Sequence, residues 1–189
     1  YDYVAVKAPQ FSFTRLEGAD PTTGVEMAST GEVACFGKDF NQAFLKSLIS
    51  VGYTFPIKNI LISSGPIRSK AELLEGCRLL AGKGMKFYAT SGTADFMEKH
   101  GIKTERLAFP LENPENNAVT YIKEGKIDLV INIPKNYQED ELTNDYQIRR
   151  AAVDFKVPLI TNTQVAARLA EALYSTDPLN LGIKSWQEY

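Results

Sequence analysis

Six consecutive residues, Asp128-Leu129-Val130-Ile131-Asn132-Ile133, constrain this chain more than any other stretch. The run is too short to cross a membrane, which takes about 18 apolar residues. It also lacks the polar alternation of a strand with one wet face. Such a run is a strand covered on both sides, and such strands belong to parallel sheets with helices above and below. Shorter or more polar stretches at 59–64, 86–90, 104–109 and 158–161 supply four more strands. Helical spacing fills the intervals at 70–81, 93–100, 118–123, 145–155 and 164–174; over 70–81, Leu73, Leu74, Cys77 and Leu80 fall on one stripe. Five strand–helix alternations over 57–175 predict an α/β fold, a doubly wound five-stranded parallel sheet sandwiched by helices.

Residues 1–56 have a different texture. Pro9, Gly18, Pro21, Gly24, Gly31 and Gly37 separate short apolar pieces, and only 39–51 has helical spacing, with Phe40, Phe44, Leu45 and Leu48. This segment is expected to bury little core of its own and to be the edge of something larger. The tail 176–189 carries no periodic pattern.

Charge and cysteine usage narrow the function classes. With 21 Lys plus Arg against 23 Asp plus Glu, the net charge is −2, which argues against a nucleic-acid module built on bulk positive charge. Cys35 and Cys77 form no paired motif, so neither a zinc knuckle nor a disulfide framework is expected, and a reducing, cytoplasmic setting fits. No run is long enough for a membrane span. Tyr1-Asp2-Tyr3 lacks both a start methionine and a basic leader region, so no signal peptide is expected and the chain reads as a processed or cut piece. His100 is the only histidine, leaving little room for a His-dependent triad.

Ligands of doubly wound sheets bind outside the carboxyl ends of the strands. The stretches to inspect are therefore 63–69, 90–93, 109–117, 132–136 and 161–163. Ala89-Thr90-Ser91-Gly92-Thr93-Ala94 turns from strand to helix. The first N–H groups of a helix have no partner inside it, and the positive dipole end favours anions. With hydroxyls from Thr90, Ser91 and Thr93, this turn suits a phosphate or carboxylate; the same hydroxyls equally suit helix capping. Lys70, at the preceding junction Gly65-Pro66-Ile67-Arg68-Ser69-Lys70, either neutralises such an anion or stands in solvent, and Arg68 is the other cation there. Asn132 ends the most apolar strand, where an amide must find partners, in a ligand edge or in the loop at Pro134. Phe109 either stacks on a ligand ring or packs in the core. Arg149-Arg150, near Asp145, fit an ion pair, a subunit contact or a place in the crevice. His100 before Gly101 fits a helix end, and Glu139-Asp140-Glu141 fits a solvated loop.

Assembled, these residues resemble the methylglyoxal-synthase-like domain at the carboxyl end of the large subunit of carbamoyl phosphate synthetase. The upstream pieces Val6-Lys7-Ala8-Pro9, Gly18-Ala19-Asp20-Pro21, Gly24-Val25-Glu26-Met27 and Ser29-Thr30-Gly31-Glu32-Val33 resemble the closing segment of that enzyme's second ATP-grasp domain. The resemblance covers essentially all 189 residues. It implies a Rossmann-type layered fold, a remnant of the ATP-grasp domain over 1–56, a regulatory domain over 57–175 and a tail over 176–189. It implies a sensor rather than a catalyst, without cofactor of its own. The parent ligase would use ATP and Mg to make carbamoyl phosphate, for pyrimidine and arginine biosynthesis, from bicarbonate and glutamine-derived ammonia. The partners implied are a nucleotide effector, the glutaminase subunit, the remaining synthetase domains and a second copy of the chain, with no nucleic acid and no membrane.

In bacterial members of that family the effectors are uridylate and inosinate; in urea-cycle members the effector is N-acetylglutamate. The nucleotide positions carry over as Ser64, Lys70, Thr90, Thr93 and Asn132, beside Ser91. A bacterial phosphate-site lysine falls at Phe109, as an aromatic does in animal members, which suggests stacking. Of the acetylglutamate positions, Thr90, Thr93, Asn132 and Arg149 match, whereas Lys135 and Asp145 stand where that pattern has asparagines, so a nucleotide is favoured. The ornithine run of bacterial members falls at Leu159-Ile160-Thr161 and is not kept. Methylglyoxal synthase itself, a lyase, is the enzyme alternative. Its aspartate base would fall near Glu115, but the histidine after Asn132 is missing. The IMP cyclohydrolase domain resembles the chain less, and a structural dimerisation domain is the remaining alternative.

Overall fold

The chain opens with two antiparallel strands, β1 (Val4–Gln10) and β2 (Gly31–Gly37), followed by helix α1 (Phe40–Ser50). Then come β3 (Asn59–Ser64), α2 (Ile67–Gly82), β4 (Lys86–Thr90), α3 (Ser91–Lys99), β5 (Thr104–Leu107), α4 (Ala118–Lys123), β6 (Leu129–Ile133), α5 (Glu139–Asp154), β7 (Leu159–Ile160) and α6 (Thr163–Ser175). The structure is a computed structural model and describes residues 2–22, 31–113, 115–134 and 139–188, the side chains of 139–142 and 186 excepted.

The five strands β3 to β7 form one parallel sheet in the order β5-β4-β3-β6-β7. The chain builds outward from β3 to β5, then returns to lay β6 on the other side of β3. That reversal puts the switch point, where such sheets open a crevice, at the carboxyl ends of β3 and β6, with β4 beside β3. Even-numbered positions of β3, Ile60 and Ile62, face a core shared with Leu73, Cys77 and Leu80 of α2 and Leu169 and Leu173 of α6. The odd-numbered Leu61 faces a second core with Ile122 of α4 and Ile148 and Ala151 of α5. The two-residue period of a strand thus sorts Ser63 and Ser64 to opposite faces.

The expected fold class stands, with local corrections. The segment 1–56 does more than line an edge: Phe44, Leu45 and Leu48 of α1 join the core under the sheet. Helix α2 begins three residues before the expected Lys70, because Pro66 supplies its N-cap and the first turn carries only the exposed Ile67. The acidic run 139–141 starts α5 rather than forming a loop. Acidic residues are favoured in the first turn of a helix, a preference that apolar periodicity cannot reveal. Strand β5 stops at Leu107, which leaves Phe109 in the following loop. Lys135 and the run 24–30 lie outside the described residues.

Candidate functional site

At the strand ends a chain of polar side chains runs through the interior. Thr90, 2% exposed, donates its hydroxyl to Ser63 Oγ at 3.1 Å. Ser63 Oγ lies 3.2 Å from Asp145 Oδ1, and the Asn132 amide donates to the same oxygen at 2.9 Å. Arg149 Nη1 donates to Asn132 Oδ1 at 2.8 Å. Both ends of the Asn132 amide are therefore engaged, and its orientation is fixed. Asn132 is fully buried and Arg149 is 2% exposed, so neither would be tolerated there unpaired.

The network continues into the amino-terminal segment. Arg149 Nε and Nη2 donate to the two oxygens of Asp20 at 2.7 and 2.6 Å, a fork-on-fork ion pair. Tyr146 donates its hydroxyl to Gly18 O at 2.9 Å. Arg150 Nη1 donates to the carbonyls of Phe13, Leu16 and Ala19, while its other nitrogens engage Asp154. Residues 13–20 thus lie across the later turns of α5, held mostly by backbone carbonyls.

The other face of the strand ends carries a second cluster. Thr93 Oγ1 accepts from Ser64 N at 3.0 Å and donates to Ser64 O at 3.1 Å, stapling α3 to β3. Ser64 Oγ, in a residue 4% exposed, is buried without a hydrogen-bond partner among the described residues. The N-cap of α3 is Thr90, yet its hydroxyl turns to Ser63 and makes no bond to the helix's own amides. The Thr90 side chain therefore does not cap the first turn of α3. Lys70 Nζ sits at this turn, 2.9 Å from Gly92 O; a Cβ on Gly92 would lie 3.7 Å from that nitrogen.

The residues expected from sequence are gathered in two neighbouring groups. Ser64, Lys70, Ser91 and Thr93 surround the start of α3; Thr90, Asn132 and Arg149 belong to the buried network. Phe109 lies two residues past Leu107, which pairs with Thr90, and packs half-buried against the core of α4 and α5. Arg68 points elsewhere, 90% exposed and paired with Glu72. His100 caps α3, bonded at Nδ1 to the Phe96 carbonyl, far along the helix from the crevice. Glu115 is exposed in the loop before α4. Ser63 fell inside the inspected stretch 63–69 but was given no role, and sequence reasoning missed Asp20 and Tyr146 as partners. The pair Ser63-Ser64 could have exposed the first through strand alternation, but no local pattern announces a partner for Arg149 lying 129 positions away.

A groove of about 610 Å³ opens elsewhere, lined by Cys35, Phe36, Lys46, Ile49, Leu179 and Leu181 among others. It touches none of these residues. Among the described residues no group of three or more His, Cys, Asp or Glu side chains is placed to hold a metal ion, and no helix is long and apolar enough to cross a membrane.

Residues 72–161 match the family described as MGS-like domain. Multifunctional protein URA2 of Saccharomyces cerevisiae is 46% identical over 181 residues, covering 91% of this chain and 8% of that protein. Mitochondrial carbamoyl-phosphate synthase (ammonia) of Homo sapiens is 43% identical over 177 residues, covering 91% of this chain and 12% of that protein. The chain spans about a tenth of the length of these curated relatives. Among solved structures, methylglyoxal synthase from Elizabethkingia anophelis NUHP1 overlays 65% of this chain and 80% of its own, with 18% identity and a TM-score of 0.45. Residues 72–161 therefore match the MGS-like domain family, in a chain similar along nine-tenths of its length to segments of carbamoyl-phosphate synthases and multifunctional proteins.

Proposed function

We propose that this chain is the effector-binding, regulatory part of a carbamoyl-phosphate synthase and performs no chemistry itself. The observation that carries this is the start of α3. Its N-cap hydroxyl is turned away, Lys70 stands beside it, and a buried Ser64 hydroxyl without a partner among the described residues lies next to it. Helix amides, a hydroxyl donor and an ammonium together suit a phosphate. The ligand proposed is a nucleotide of the uridylate or inosinate kind, its phosphate on Ser91, Thr93 and Lys70 and its ring against Phe109. The parent would then be an ATP- and Mg-dependent ligase serving pyrimidine and arginine synthesis, with its other domains and a glutaminase as partners. Residues 1–56 would be the closing end of its ATP-grasp unit.

A dicarboxylate of the N-acetylglutamate kind has one observation in its favour: Arg149 already holds a carboxylate in forked geometry. Calorimetric titration with uridylate, uridine triphosphate, inosinate and N-acetylglutamate separates the two. Saturable nucleotide binding, weakened by about 1–3 kcal/mol in Lys70→Ala, is the expected result. Binding of N-acetylglutamate alone would replace the nucleotide with a dicarboxylate. Silence from all four ligands would remove the effector reading.

A further inference from the structure

Arg149 is buried, and two of its three nitrogens are committed to a carboxylate that arrives from a different part of the chain. We infer that Asp20 is a tethered stand-in for an anionic ligand, and that a ligand reaching Arg149 must first displace residues 13–20. This rests on the dicarboxylate reading of the effector site above, the one that brings a ligand anion to Arg149, and adds a mode of control to it.

Three observations support it. The forked Asp20–Arg149 contact is the geometry in which a guanidinium takes a free carboxylate or phosphate. The exposure is asymmetric: the Arg149 side chain is 2% exposed and that of Asp20 38%. The open side of the pair is thus the side from which a soluble anion would approach. The remaining ties of the segment are single hydrogen bonds, from Tyr146 to Gly18 O and from Arg150 to three carbonyls. They can break while the Arg150 guanidinium keeps its carboxylate partner, Asp154.

The energetics favour exchange over simple release. A buried guanidinium without an anion is strongly disfavoured, so departure of Asp20 must coincide with arrival of another negative group. A short tether presents its carboxylate at an effective concentration of about millimolar order, which a free ligand at comparable concentration can contest. Because the carboxylate and the ligand want the same nitrogens, ligand affinity differs between the strapped and open states, the condition for a ligand to shift the balance. Apparent affinity is then reduced by the fraction of molecules already open.

The test uses the 189-residue chain and two variants whose folding is checked by circular dichroism. Asp20→Asn removes the competing charge while keeping the shape. Tyr146→Phe loosens the segment without touching Arg149 or Asp20. Affinities for uridylate, N-acetylglutamate and inorganic phosphate are read by calorimetry, and amide hydrogen exchange over 13–20 by mass spectrometry. The expected result is tighter ligand binding by about tenfold in Asp20→Asn and a smaller gain in Tyr146→Phe. Faster exchange over 13–20 when ligand is added to the unaltered chain is expected with it. Nucleotide or acetylglutamate binding with equal affinity in all three proteins and unchanged exchange would overturn the strap while leaving the effector site standing. Phosphate binding that tightens in Asp20→Asn without any organic effector binding would keep the strap and remove the effector assignment. No binding of any anion to any of the three would remove both.

Discussion

Thr93 shows how one side chain can be committed to the fold and to a ligand at once. Its hydroxyl both accepts from and donates to the Ser64 backbone, so its removal strikes the staple between β3 and α3 as well as any phosphate above. Thr93→Ala should lower stability by about 1 kcal/mol and weaken nucleotide binding by about 1–3 kcal/mol. Thr93→Ser, which keeps the hydroxyl, should recover most of both; urea unfolding and calorimetry on the two variants decide it, and equal behaviour of both would deny the hydroxyl either role. Thr90, Lys70 and Ser64 were legible because the rule that ligands gather after strand ends names positions. Ser63 and Asp20 were not. Ser63 matters through which face its pleat presents, and Asp20 through a partner in another element.

At the scale of elements, close packing can override propensity. Gly76 lies in α2, where Ala would ordinarily gain about 1 kcal/mol as the better helix former. Here a Cβ on Gly76 would meet Ala170 Cβ of α6 at 2.9 Å, closer than side chains approach. Overpacking of that kind costs about 1–3 kcal/mol, so Gly76→Ala should be neutral to destabilising by about 2 kcal/mol rather than stabilising, as thermal unfolding would report. A rise in Tm would mean that the helices can separate freely. The strands were readable as elements because continuous apolar runs are local. The first turns of α2 and α5 were not, since each opens on proline or carboxylates whose effect is end-specific.

Across the whole molecule, the two thiols report on how the core is held. Burial pushes the Cys77 thiol up to about 12 from an ordinary 9.0, and burial also raises the Tyr53 phenol, whose hydroxyl donates to Leu159 O. Below about pH 9 both groups are protonated in folded and unfolded chains alike, so they leave stability unchanged with pH. Above it the unfolded chain ionises first, and stability should fall as pH rises through 9 to 12, by about 1.4 kcal/mol per unit for each ionising group. Urea midpoints at pH 8 and pH 10 test this; a midpoint that did not move would place both groups in water. With a maleimide at pH 8, half-exposed Cys35 should label promptly and Cys77 only through unfolding. Distance along the chain has a further meaning, in the order of manufacture. Asp20 leaves the ribosome 129 residues ahead of Arg149, roughly 6–26 s at usual rates of synthesis. For that interval the early segment lacks Arg149 to grip, so the newborn crevice meets its own amino-terminal segment and the surrounding metabolites at the same moment, a choice that protease cutting of stalled chains would reveal.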